Sequence, residues 1–232
     1  MSGREAVAYA DGDVALTGWL SRPAGAPRAA VLVFPTIANT TPNVERKAQA
    51  LADAGYLAMI ADFYGVEVPD FPSAGPLAQA LRADPQVYRR RLAAALEALR
   101  AHAPGVPLAT IGFCMGGQAA LELARSGADI AVAASFHGLL DTQLPASAGA
   151  VKARLLVCHG DADPMVARSA VAAFQKEMDA AGADWHLHVY SGVRHGFTDP
   201  GSDARGLDAI KYDASADRQS WSALLALFDE VL

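Results

Sequence analysis

Residues 29–34 (AAVLVF) form an apolar run without a polar side chain, and residues 56–61 (YLAMIA) form a second. A strand wetted on one face alternates polar and apolar residues. A strand that is apolar at every position is buried on both faces, the condition of a parallel sheet covered by helices. Further strands are read at 108–111, 130–136, 154–159 and 185–190. Between them lie segments of helical period at 44–54, 86–102, 115–125, 166–181 and 215–232, with Leu92, Leu96 and Leu99 on one stripe of the second. Strand and helix therefore alternate from residue 29 onward, which predicts a mostly parallel central sheet with helices on both faces. Ahead of it, residues 7–10 and 14–20 flank Asp11-Gly12-Asp13, the signature of an antiparallel hairpin. Residues 62–85, with Pro69, Pro72, Gly75 and Pro76, predict a long excursion holding one short helix at 77–82. No repeat or low-complexity linker interrupts the pattern, so one domain over residues 1–232 is expected.

Composition narrows the function classes. Of the 232 residues, 52% are hydrophobic and 19% charged, which excludes a disordered chain. The formal charge is −6, and the one tight basic cluster, Arg89-Arg90-Arg91, reads as an exposed helical turn. A nucleic-acid partner is not expected. Residues 1–6 lack the apolar stretch of a signal peptide, and no run is long enough to span a bilayer. Two cysteines, outside any CxxC pair, argue against a disulfide framework or a structural zinc site. The expected setting is the cytoplasm, with reduced thiols and no membrane partner. The oligomeric state is not read from the sequence.

Ligands in such sheets bind beyond the carboxyl ends of the strands. Three strand ends carry chemistry. In Ile111-Gly112-Phe113-Cys114-Met115-Gly116-Gly117 the Gly-x-nucleophile-x-Gly pattern follows a strand and opens a helix, as in a nucleophile elbow. The Cys114 sulfur would sit at a helix N-terminus, which favours thiolate, and the Met115 N–H would face an oxyanion. The structural alternative is a glycine-rich turn with a buried cysteine. In the second, residues 158–166 (CHGDADPMV), Asp163 precedes Pro164 and is preferred as a histidine-orienting carboxylate, with Asp161 the alternative. Cys158, inside the strand, reads as core. In the third, His195 follows a strand between Arg194 and Gly196, so nucleophile, acid and histidine follow one another along the chain.

The other histidines read as structural. His137, after a strand, is assigned a structural hydrogen bond, and His159 is expected to brace the acid turn. His186 and His188 alternate on an exposed strand face without a third ligand, so no metal site is expected.

These residues together resemble the dienelactone hydrolase family, cysteine-nucleophile members of the α/β-hydrolase fold. The resemblance covers nearly the whole chain. It runs through the N-terminal hairpin, Ala61-Asp62-Phe63-Tyr64-Gly65, the Gly-Phe-Cys-Met-Gly-Gly elbow, Ser135-Phe136-His137-Gly138, residues 160–166 and His195-Gly196-Phe197. It implies Cys114 as nucleophile, Asp163 as orienting acid, His195 as base, and an oxyanion hole from the N–H groups of Met115 and Ile37. It implies no cofactor and a small ester or lactone substrate, carboxymethylenebutenolidase-type activity included. Two positions depart from the family. Thr36 stands where the family carries a glutamate, and Asp199 stands near where characterised members carry an arginine. Thr36, Arg82, Arg194 and Phe197 are the candidate substrate contacts. The rival expectation is a non-catalytic ligand-binding or thiol redox-sensing protein on the same fold.

Overall fold

The computed structural model describes residues 4–232; Met1, Ser2 and Gly3, part of the start read above for a leader, lie outside the described residues. The described strands hydrogen-bond in the order β1-β2-β4-β3-β5-β6-β7-β8, mostly parallel, with the N-terminal hairpin antiparallel. The α/β class expected from the apolar runs is the class observed. Contacts concentrate in two compact units, residues 1–110 and 111–232, with the boundary inside β5 (Leu108–Phe113).

In the first unit the hairpin β1 (Glu5–Asp11) and β2 (Val14–Ser21) leads into β3 (Ala30–Phe34) and β4 (Leu57–Ile60). Every residue of β3 and β4 is buried, as their continuous apolar runs require. Helix α1 (Pro42–Asp53) starts where Pro42 loses no hydrogen bond and the Thr41 side chain accepts from the Val44 N–H. Helix α3 (Pro85–His102) is capped by Asp84 and buries Leu92, Leu96 and Leu99.

Two expectations need correction here. The excursion holds a longer helix than expected, α2 (Phe71–Arg82). Asp70 caps it, and Pro72 falls in the first turn, where its missing N–H costs nothing. Pro76 gives up one bond inside the helix, and burial of Ala74, Ala78 and Leu81 on one face offsets the loss. The arginine cluster is not wholly exposed either. Arg91 is buried, with Nε on Asp11 at 2.8 Å and Nη1 on the Phe63 carbonyl at 2.6 Å, while Arg90 reaches the same carboxylate from outside. Asp11 thereby ties the end of the hairpin to α3.

The second unit alternates strand and helix. Helix α4 (Met115–Arg125) follows β5, β6 (Val132–Phe136) pairs with β7 (Arg154–Gly160), and β7 pairs with the edge strand β8 (Trp185–Tyr190). Helices α5 (Arg168–Ala181) and α6 (Ala214–Val231) complete it, with a short 3-10 turn at Pro200–Arg205 that the sequence reading did not include. Among the described residues no helix is long and apolar enough to cross a membrane.

Candidate active site

The turn from β5 into α4 sets Cys114 at the helix N-cap with φ 57° and ψ −120°. A non-glycine residue reaches this region only when its surroundings impose it. The cause is local: a Cβ on Gly112 would lie 1.9 Å from the Gly116 carbonyl oxygen, so the two backbones touch beneath the cysteine. The Cys114 side chain caps nothing in the helix and is half-buried, so the thiol is presented above the N-terminal turn. Met115 supplies the first N–H of the helix.

Asp163 occupies the turn after β7, with Oδ1 accepting the Met165 N–H at 2.8 Å. Its Oδ2 accepts from His195 Nδ1 at 2.7 Å, and both residues are buried. That contact depends on the loop beyond β8 closing onto the end of β7. A Cβ on Gly160 would lie 2.5 Å from the Val193 carbonyl oxygen, an approach that only glycine permits. The His195 backbone is pinned by Ala209 and Lys211. Asp161 points elsewhere and holds the exposed Arg168 in a two-point ion pair.

With Nδ1–H committed to the carboxylate, proton exchange falls to the buried Nε2, the ring nitrogen left to interact with Cys114. Burial opposes the charged ring. Hydrogen bonding and charge interaction with Asp163 and Cys114 outweigh it and push the His195 pKa up to about 10. A buried imidazole held cationic beside a thiol is the condition for a thiolate–imidazolium pair. Cys158 is the contrast: burial pushes its thiol up to about 12.

Ile37 lies in a turn of the first unit, where its carbonyl accepts from the Tyr64 hydroxyl at 2.9 Å, and the neighbouring Thr36 hydroxyl accepts the Ala38 N–H. Arg82 closes α2. Arg194 is engaged with Asp208 through both its carbonyl and its carboxylate. Phe197 is fully buried, edge-on to His137 and Tyr190, and offers no exposed surface to a ligand. Asp199 caps the 3-10 turn and pairs with Arg205 at 3.0 Å, so it is not the bare anion that its position suggested. His159 is buried with neither ring nitrogen hydrogen-bonded among the described residues, so it does not brace the acid turn that way; burial pushes its pKa down. Sequence reasoning missed Thr198, whose hydroxyl meets His137 Nε2 at 2.9 Å, and no motif marks it. Among the described residues no group of three His, Cys, Asp or Glu side chains could hold a metal.

The model of the dienelactone hydrolase family matches residues 16–232. A probable 2-oxo-3-(5-oxofuran-2-ylidene)propanoate lactonase from Bradyrhizobium sp. is 30% identical over 221 residues, 89% of this chain and 86% of that protein. The crystal structure of P91, a dienelactone hydrolase-like promiscuous phosphotriesterase from metagenomic libraries, superposes with a TM-score of 0.92. It is 35% identical and covers 99% of this chain and 98% of its own. A solved structure from Klebsiella pneumoniae, at 20% identity and TM-score 0.78 over 98% of both chains, shares the fold. This chain is a hydrolase that belongs to the dienelactone hydrolase family.

Proposed function

We propose that the chain hydrolyses ester or lactone bonds without a cofactor, through Cys114, His195 and Asp163, on one domain spanning residues 1–232. One observation carries the reading. The 2.7 Å bond from His195 to Asp163 coexists with an imidazole pushed up to about 10 beside a thiol held at positive φ on a helix N-terminus. The family match across both compact units supports treating them as one domain. Two free cysteines suit a cytoplasmic setting.

The resting pair is then thiolate and imidazolium. The thiolate attacks the substrate carbonyl carbon, and the carbonyl electron pair moves onto oxygen. The N–H group of Met115, at the start of α4, receives that oxyanion. As the tetrahedral centre collapses, His195 gives its Nε2 proton to the departing alkoxide and becomes neutral. It then takes a proton from water, and the hydroxide attacks the thioester. Collapse releases the carboxylic acid and restores the thiolate beside the imidazolium. Asp163 keeps the ring oriented and stabilises its charge throughout.

Because Thr36 cannot take a proton at neutral pH, charge control of the thiol falls to His195 in this reading. The Bradyrhizobium relative's name supports lactones, and the likeness to P91 adds neutral phosphotriesters as a second substrate class to assay. The test is hydrolysis of short-chain nitrophenyl esters by the native protein beside Cys114→Ala. Loss of turnover in the variant supports the reading. Equal turnover sinks it, and absence of turnover in both favours a thiol sensor.

A further inference from the structure

His137, set aside by the sequence reading as structural, stands directly behind the triad. It directly follows β6, is 2% exposed, and is held at φ 42°, a non-glycine residue at positive φ as Cys114 is. Its Nδ1 lies 3.2 Å from the Cys114 backbone nitrogen. That N–H is shared with the Phe136 carbonyl at 3.1 Å. Its Nε2 lies 2.9 Å from the Thr198 hydroxyl, three residues past His195. Its ring meets the His195 ring edge-on, with centroids 5.1 Å apart.

These partners determine its protonation. A nitrogen facing an N–H donor must present a lone pair, so the proton resides on Nε2 and is donated to Thr198 Oγ1. A second proton would set two N–H groups against each other at Cys114 and put a second cation against imidazolium. Cys114 from the elbow and His195 from the loop after β8 face it, with Asp163 behind His195.

We propose that His137 is a positioning residue that locks the nucleophile to the base, joining the Cys114 backbone to the His195 loop through a neutral imidazole. This rests on the triad reading above. The consequence is geometric. Without the link, the elbow and the histidine loop settle independently, and displacement of reacting groups by about 1 Å costs up to ~100-fold in rate.

Three variants separate the two bonds. His137→Asn keeps an acceptor near Nδ1, His137→Gln keeps a donor near Nε2, and His137→Phe keeps only the ring. Two readouts are taken: kcat and KM on a nitrophenyl ester, and the iodoacetamide rate at Cys114 from about pH 5 to pH 9. His137→Phe should lose about 10- to 100-fold in kcat with little change in KM, and its alkylation midpoint should rise by about one pH unit. His137→Asn should recover most of both, and His137→Gln should recover less. Native behaviour of His137→Phe overturns the proposal. So do equal losses in all three with an unmoved alkylation profile, the mark of simple packing, or recovery by Gln above Asn. If His137→Phe melts before assay, the order of Asn and Gln alone decides. The alkylation profile reads Cys114 without substrate, so a failure of ester hydrolysis itself, seen as an active Cys114→Ala, remains distinguishable.

Discussion

Replacing Asp163 with asparagine removes one charge and keeps the shape. His195 is 2% exposed and its carboxylate partner is fully enclosed, so water replaces none of the lost interaction. The rise of the His195 pKa from 6.5 to about 10 corresponds to ~5 kcal/mol favouring imidazolium, shared between Asp163 and the thiol. Assigning the carboxylate about half gives ~2–3 kcal/mol, or about 100-fold in the equilibrium constant for forming the ion pair. An amide N–H facing Nδ1 also moves the ring proton to Nε2, the wrong tautomer for a base. Together these predict a fall in kcat of about 1,000-fold or more for Asp163→Asn on a nitrophenyl ester. Asp161→Asn loses only a surface pair with Arg168 and should stay within about twofold. Stability carries the same signature. A histidine whose folded pKa is raised stabilises fully below its unfolded value near 6.5, and the contribution is lost as pH rises through about 10. The gap in Tm between native protein and Asp163→Asn should therefore be widest below about pH 6.5 and narrow as pH rises toward about 10. Asp163→Asn with more than about a tenth of native kcat, or a larger loss for Asp161→Asn, would refute the reasoning.

Brief alkylation of the native protein should label Cys114 and spare Cys158, whose thiol is buried and pushed up to about 12; peptide mass spectrometry reads the ratio, and label mainly on Cys158 contradicts it. A lactone bearing a free carboxylate and its methyl ester should differ by less than about tenfold in kcat/KM, because the ion pair of Asp199 with Arg205 presents no net charge. A strong preference for the acid that Arg205→Ala abolishes would show that the pair opens to receive it. Gly112→Ala drives a methyl into the Gly116 carbonyl and should abolish turnover while lowering Tm, measured by ester assay and thermal melt; a native-like variant would show that the elbow does not need that contact.

The sheet was legible because β3 and β4 carry unbroken apolar runs, and α4 because Cys114 opens it and Gly112 precedes it. Helix α2 was under-read because proline and glycine speak for turns, while its burial stripe of Ala74, Ala78 and Leu81 is carried by small residues with a weak periodic signal. The candidate site divides in the same way. Strand ends singled out Cys114, His195 and a choice of two aspartates, but only distance shows which carboxylate meets the imidazole. Ile37 and Thr36 entered through resemblance alone. Thr198 and its contact with His137 were illegible, since that contact joins segments 61 residues apart. Arg91 looked exposed because its partner, Asp11, lies 80 residues away.

Trapping the covalent intermediate tests the central claim most directly. The protein would be mixed with a nitrophenyl acetate, quenched in acid, and its peptides mapped by mass spectrometry. The account predicts an acetyl thioester on Cys114, absent in Cys114→Ala and accumulating in a variant of His195, which supplies deacylation. Turnover with no adduct at Cys114, or an adduct on a serine or on Cys158, would contradict it.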